Sequence, residues 1–156
     1  MTQVIALSGD DADAMAAVHA AAFPVGEAWS ASAFQDVLSQ PAALARGVQE
    51  EEELAAFVLV QFVDGDVEIL TLATAPQAQR RGFARALIER FEQELQSSGL
   101  KKWMLDVRSD NFGALAFYKR LGFQTDGTRR NYYRRLEGGR IDAILMSKVV
   151  AGQTSQ

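Results

Sequence analysis

The chain has 156 residues, of which 48% are hydrophobic and 23% charged, as is typical of one soluble globular domain. It has no cysteine, which excludes disulfides, cysteine-based zinc sites and a thiol nucleophile; its single histidine, His19, argues against a histidine triad or a multi-histidine metal site. The net charge of −4 argues against nucleic-acid binding, and no apolar run is long enough to span a membrane. We therefore expect a cytoplasmic protein with no metal, nucleic-acid or membrane partner.

Hydrophobic periodicity predicts a mixed α/β (α+β) domain with helices on both faces of one sheet. In chain order the elements are a strand at 3–7, helices at 12–22 and after the capping residue Ser30, strands at 43–49, 54–63 and 67–74, a helix at 82–97, a strand at 102–107, a helix at 112–121, a strand after Phe123 and a strand at 141–149. Residues 129–139 are predicted to be a polar, aromatic loop. No repeat or linker interrupts residues 1–150, so we expect a single domain followed by a flexible tail at 151–156.

A basic turn that contains glycine leads directly into the third predicted helix. Its residues are Gln79-Arg80-Arg81-Gly82-Phe83-Ala84, and a predicted strand precedes it. The first amide groups of a helix have no intrahelical acceptor and carry the positive end of the helix dipole, so this turn suits a phosphate. The Walker lysine and the dinucleotide pattern GxGxxG are both absent. A solvated surface loop is the alternative interpretation.

Three blocks of sequence together resemble the GNAT family of N-acetyltransferases. Gln79-x-x-Gly82-x-Ala84 is similar to the acetyl-CoA signature of that family, and Asn111 with Ala116-Phe117-Tyr118-x-x-x-Gly122-Phe123 is similar to its second motif. A third block, Arg129-Arg130-Asn131-Tyr132-Tyr133 followed by Gly139-Arg140-x-Asp142-Ala143-Ile144-x-Met146, resembles the C-terminal end of the RimI-like branch. The resemblance covers nearly the whole chain. It implies the GNAT fold, with a central sheet of six to seven strands flanked by about four helices.

The resemblance also implies acetyl-CoA as the cosubstrate. The strand before the turn would pair its backbone with the pantetheine arm, the amides of the turn would hold the pyrophosphate, and Asn111 would contact the same molecule. The implied acetyl-CoA-binding residues are Leu72, Ala73, Thr74, Gln79, Arg80, Arg81, Gly82, Phe83, Ala84, Arg85 and Asn111. No metal is implied.

Two residues take catalytic roles by the same resemblance. Tyr118 would protonate the departing thiolate, although a tyrosine packed on the core is the simpler interpretation. Asp106 aligns with the glutamate that acts as base in the RimI-like branch, and it is one methylene shorter, so a bridging water is expected. A structural ion pair between Asp106 and Arg108, which share one face of the strand, is the alternative. His19 falls on an apolar helical face and is expected to be a partly buried histidine with its hydrogen bonds satisfied, rather than a base.

The resemblance further implies that the acceptor is the N-terminal α-amine of a protein, in the RimI-like branch a ribosomal protein that begins with alanine. Direct attack in a ternary complex is expected, because no cysteine can carry the acetyl group. Trp29, Tyr132 and Tyr133 are the predicted substrate-binding residues, and two adjacent tyrosines of an extended segment cannot both point inward. A small amine or antibiotic as acceptor, or a CoA-binding module with little activity, are the alternatives. We expect a monomer or a weak homodimer.

Overall fold

The structure, a computed structural model, describes residues 2–24, 26–135 and 138–150. The predicted tail at 151–156 lies outside the described residues. Within them the chain forms seven strands and four α-helices. The strands are β1 Thr2–Leu7, β2 Ala43–Glu50, β3 Glu53–Val63, β4 Asp66–Thr74, β5 Lys102–Arg108, β6 Gln124–Arg134 and β7 Arg140–Val149, and the helices are α1 Ala12–Ala22, α2 Ala31–Leu38, α3 Phe83–Leu95 and α4 Phe112–Arg120.

All seven strands belong to one sheet in the order β1-β2-β3-β4-β5-β7-β6. Every pairing is antiparallel except the one between β4 and β5. The central strand β3 supplies both cores, because successive side chains point to opposite faces. Val58 and Val60 pack with α3, whereas Phe57 and Leu59 pack with α1 and α2. The prediction of a mixed sheet with helices on both faces is confirmed.

The prediction of a loop at 129–139 is wrong, because β6 continues to Arg134. Arg129 pairs with Ala143 and Tyr133 with Ile141, and the residues between them form a bulge in which Asn131 has a φ of 54°. The amide of Asn131 donates to the Asp142 carboxylate at 2.8 Å. Strand β6 lies at the edge of the sheet, where charged side chains remain in water, so its composition resembles that of a loop.

Strands β4 and β5 separate partway along their length. They pair only where Asp66–Glu68 faces Lys102–Met104, and each then continues without the other, β4 to Thr74 and β5 to Arg108. A bulge lies just beyond the last pair, because Leu59 and Val60 of β3 pair with Thr71 and Ile69 and leave Leu70 as the extra residue. Bulges bend a strand and often lie beside active sites. The separation leaves a cleft in the middle of the sheet.

In the described part of the chain, none of the helices combines the length and the apolar character that crossing a membrane would need.

Candidate active site

Two cavities meet in the cleft between β4 and β5. The large cavity has a volume of about 1050 Å³ and the small cavity about 400 Å³. They share a boundary, because the same residues line both: Phe23, Glu27, Leu72, Arg108, Asn111, Ala114 and Tyr118. The arrangement provides room for two molecules whose reactive ends meet beside Tyr118.

The basic turn forms one wall of the large cavity. Gly82 is the N-cap of α3 and has a left-handed φ of 81°, and Arg80 before it has a φ of 66°. Helix α3 has no side-chain cap, whereas Ser30 and Asn111 cap α2 and α4. The first amides of α3 therefore remain free for an anion in the cavity, as the phosphate prediction requires.

Arg81 turns away from this cavity. Its guanidinium donates to both carboxylate oxygens of Glu50 and lies 4.6 Å from the centroid of the Phe83 ring. The hydrogen bond from Arg81 lowers the pKa of Glu50. The side chain of Arg81 therefore binds β2, and only its main chain remains next to the predicted anion site.

The free edge of β4 forms the opposite wall. Leu72, Ala73 and Thr74 line the large cavity beyond the last residue that pairs with β5. Main-chain groups on such an edge can pair with an extended ligand as an added strand would. An extended amide-containing molecule with an anionic end fits the edge and the helix N-terminus together.

Tyr118 lies at the boundary of the two cavities. It is only 7% exposed and packs edge-to-face on Phe117 and Phe123, with ring centroids 5.1 and 5.3 Å away. Burial raises its pKa, so the phenol stays protonated. Its hydroxyl makes no hydrogen bond to the other described residues, and no buried side-chain oxygen in the described part of the chain lacks a partner, so the hydroxyl is accessible from the cavities. Asn111 caps α4 by accepting from the Ala114 amide at 3.1 Å, which leaves its own amide group for the cavities.

Asp106 lines the small cavity. It lies on the face of β5 opposite the buried residues Trp103, Leu105 and Val107, as the alternation predicts. The alternative interpretation, an ion pair between Asp106 and Arg108, is wrong, because Arg108 contacts Glu27 and Asp110 instead. Across the described residues, no cationic side chain lies within 4.0 Å of the Asp106 carboxylate. The carboxylate is not held in a structural pair and is available to a substrate.

Glu68 is a second carboxyl group close to Asp106 that the sequence interpretation missed. It pairs in register with Met104, two residues before Asp106, at the point where β4 and β5 separate. Burial, and then the charge of Asp106, raise the pKa of Glu68, while Arg129 acts in the opposite direction. The alternation of side chains along β4 could have predicted which face of the sheet Glu68 lies on. Only the parallel register of β4 with β5 brings it near Asp106.

His19 stabilises the wall of the small cavity. Its Nδ1 accepts from the Trp29 amide at 3.1 Å, so Nε2 carries the proton and donates to the Thr71 hydroxyl at 2.8 Å. Burial lowers its pKa to about 4, which keeps the ring neutral at physiological pH. The prediction that His19 has its hydrogen bonds satisfied is confirmed, and the residue is fully buried where partial burial was expected.

The two adjacent tyrosines have different positions. Tyr133 lines the small cavity, and burial followed by the charge of Asp106 raises its pKa to about 12. Tyr132 is 44% exposed and lies outside both cavities, with the Arg129 guanidinium 4.6 Å from its ring centroid. The prediction that at least one of them is exposed is confirmed.

Most of the residues predicted from sequence therefore lie around the cleft. The large cavity brings together Leu72, Ala73, Thr74, Gln79, Arg80, Gly82, Phe83, Ala84, Arg85, Asn111 and Tyr118. The small cavity adds Trp29, Asp106 and Tyr133. Arg81 and Tyr132 line neither.

Residues 12–123 match the sequence model of the Acetyltransferase (GNAT) family. The chain belongs to the GNAT family. Its GNAT fold is also that of the crystal structure of the ribosomal-protein-alanine N-acetyltransferase from Escherichia coli. That structure has a TM-score of 0.87 and 31% identity, and the match covers 100% of this chain and 99% of that chain.

Curated GNAT relatives resemble the chain over shorter stretches. The ribosomal protein bS18-alanine N-acetyltransferase of Escherichia coli is 40% identical over 95 residues, which is 61% of this chain and 64% of that protein. The chain thus matches just under two thirds of the length of this relative. The N-alpha-acetyltransferase RimI of Mycobacterium tuberculosis is 31% identical over 133 residues, covering 83% of this chain and 82% of that protein.

Proposed function

We propose that this GNAT protein transfers an acetyl group from acetyl-CoA to the N-terminal α-amine of a protein. The observation that carries the proposal is the meeting of two cavities at Tyr118, with the uncapped N-terminus of α3 on one side and the unpaired carboxylate of Asp106 on the other. The relatives named for acetylating the N-terminal alanine of a ribosomal protein favour the same substrate here.

The large cavity is the proposed site for acetyl-CoA. The free amides at the start of α3, from Gly82 to Arg85, would hold the pyrophosphate, and the edge of β4 at Leu72 to Thr74 would pair with the pantetheine arm. Main-chain amides near Ala73 would polarise the thioester carbonyl. The pyrophosphate and the thioester carbonyl both suit the site, because each requires main-chain donors that the fold does not otherwise use.

Asp106 is the proposed proton acceptor, directly or through a water. The amine nitrogen attacks the thioester carbonyl carbon, the carbon–sulfur bond breaks, and the proton released from nitrogen passes toward the Asp106 carboxylate. An N-terminal amine has a pKa of about 8 and a lysine side chain about 10.4, so forming the neutral lysine amine costs ~3 kcal/mol more near neutral pH. A short carboxylate acting through water is therefore better suited to an α-amine. Glu68 lines neither cavity, so Asp106 is the carboxylate proposed to accept the proton.

Tyr118 is the proposed hydrogen-bond donor to the departing sulfur. Its phenol stays protonated, because burial raises its pKa. A thiol has a pKa of about 8.5, so complete proton transfer from this phenol to the thiolate would be uphill. Its contribution is therefore a hydrogen bond to the developing negative charge, formed in a partly dry site where such bonds are strong.

Features of the small cavity favour a peptide over a small free amine. Its volume of about 400 Å³ has room for the start of a peptide, and its lining includes the exposed residues Gly26 and Arg134, so the cavity reaches the surface. The alternatives remain a GNAT enzyme for a small amine or antibiotic and a CoA-binding module of low activity. The first alternative predicts acetylation of a small amine in place of a peptide, and the second predicts little acetylation of any amine.

The test is to incubate the protein with acetyl-CoA and a peptide that begins with alanine and contains one internal lysine. Mass spectrometry of fragments then locates the acetyl group, which we expect on the α-amine. The same peptide with a blocked N-terminus and a polyamine are the matched controls. Acetylation only of the lysine or only of the polyamine would contradict the proposal. Acetyl-CoA binding without turnover of any amine would favour the binding module.

A further inference from the structure

We propose that Arg108 is a positioning residue for the acyl acceptor. It holds the acceptor loop, defined as residues 26–29, across the boundary between the two cavities and thereby limits the size of the small cavity. The inference rests on the proposed function, because it concerns how the amine substrate is seated.

The side chain of Arg108 joins separate parts of the chain at this boundary. Its Nη1 lies 3.2 Å from the Glu27 carboxylate, and its Nε and Nη2 each lie 3.1 Å from the carboxylate oxygens of Asp110. The guanidinium also lies 5.9 Å from the centroid of the Tyr133 ring. Arg108 thus connects the acceptor loop, the turn before α4 and strand β6.

The two ends of the acceptor loop are held in different ways. Trp29 is fixed by its amide hydrogen bond to His19 and by its ring, which packs against Phe34 with centroids 5.1 Å apart. In the described part of the chain, Arg108 is the one charged partner of the Glu27 carboxylate. Glu27 and Arg108 both line the large and the small cavity. The Glu27 amide also donates to the Pro24 carbonyl at 3.0 Å, but that bond is local to the turn, so the ion pair is the contact that ties this end of the loop to β5.

The burial of the pair makes it more than a surface contact. The Arg108 side chain is 19% exposed and the Glu27 side chain 27% exposed. An arginine fork can contact two carboxylates at fixed angles, which the single ammonium of a lysine cannot reproduce. The pair with Asp110 ties the fork to the turn that starts α4, the helix that carries Tyr118. The loop is therefore aligned with the residue beside which the two substrates meet.

The consequence is a limit on the first residue of the acceptor. With the loop held, Glu27 and Arg108 stay at the boundary of the two cavities and limit the space for the first side chain next to the reacting groups. Without the ion pair the loop end would move outward, and the cavity would accept a larger side chain at the cost of weaker binding of the small one.

Steady-state kinetics of Glu27→Ala and Arg108→Lys at saturating acetyl-CoA test the inference. We expect both variants to raise KM for a peptide beginning with alanine by about five-fold, the effect of one partly buried ion pair. We expect the preference for alanine over methionine at the first position to narrow by a similar factor. The double variant should be no worse than the more impaired single variant.

The matched control is Glu94→Gln. Glu94 forms ion pairs with Arg46 and Arg90, its side chain is 29% exposed, and it lines neither cavity. Equal losses of thermal stability in Glu27→Ala and Glu94→Gln, with changes in peptide KM and preference only in Glu27→Ala, would support positioning. Unchanged peptide KM and preference in Glu27→Ala would overturn it. Failure of the unaltered protein to acetylate any N-terminal amine would instead overturn the proposed function.

Discussion

The two halves of the cleft are built from different parts of the polypeptide. The large cavity presents main-chain groups, namely the uncapped amides of α3 and the free edge of β4. The small cavity presents side chains from separate elements, including Asp106 on β5, Tyr133 on β6 and Trp29 before α2. A main-chain site tolerates most side-chain changes, whereas a side-chain site fails when one group is removed. The difference suits one constant cosubstrate and an acceptor that varies between GNAT enzymes.

The largest effect is expected from removing the carboxylate in the small cavity. Asp106→Ala should lower kcat for a peptide beginning with alanine by ~10²-fold or more, the usual contribution of a general base. Acetyl-CoA should bind normally, because Asp106 does not line the large cavity. Steady-state kinetics together with acetyl-CoA titration separate the two effects. Asp106→Glu is the matched variant and should keep most of the activity; equal turnover by Asp106→Ala and the unaltered protein would rule out the base role.

A backbone change in the large cavity should produce the next largest effect. Gly82→Val places a β-branched side chain at a φ of 81°, where it costs ~1–2 kcal/mol or more and distorts the turn that begins α3. We expect KM for acetyl-CoA to rise ~10-fold with little change in peptide KM, measured at saturating co-substrate. Gly127→Val is the control, since Gly127 lines neither cavity. Similar acetyl-CoA KM values in both variants would contradict the main-chain site.

The buried histidine in the wall of the small cavity should make stability depend on pH. Burial lowers the pKa of His19 to about 4, so between pH 6.5 and 4 the unfolded chain binds a proton that the folded chain does not. Stability from this group is therefore complete above pH 6.5 and is lost as pH falls, by ~2 kcal/mol at pH 5. Urea unfolding at pH 7.5 and 5 measures it. His19→Gln should lose less stability over this interval; equal losses would show that other groups are responsible.

The smallest effect is expected at an arginine of the signature itself. Arg81→Ala should change KM for acetyl-CoA by less than about two-fold, because this side chain pairs with Glu50 and packs on Phe83 rather than lining the large cavity. The exposed pair contributes little to stability. A rise in KM of ten-fold or more would mean that side-chain charge, and not the main chain, holds the pyrophosphate.

The cofactor side of the cleft was largely predictable from sequence. A helix with strong apolar periodicity, a left-handed glycine before it and a strand before that are local features, and local sequence determines them. The position of the Arg81 side chain was not predictable in this way, because its partner Glu50 lies at the end of β2, far away in the sequence.

The acceptor side depended on contacts between residues far apart in the chain. The sequence by itself determined the family, the anion-binding turn and the outward face of Asp106, because each follows from short-range periodicity or a contiguous motif. Only the tertiary structure decided that Glu68 lies beside Asp106, that Arg108 binds Glu27 and Asp110, and that β6 replaces the expected loop. These outcomes follow from strand register and from the separation of β4 and β5, which packing of the whole sheet fixes and no single segment encodes.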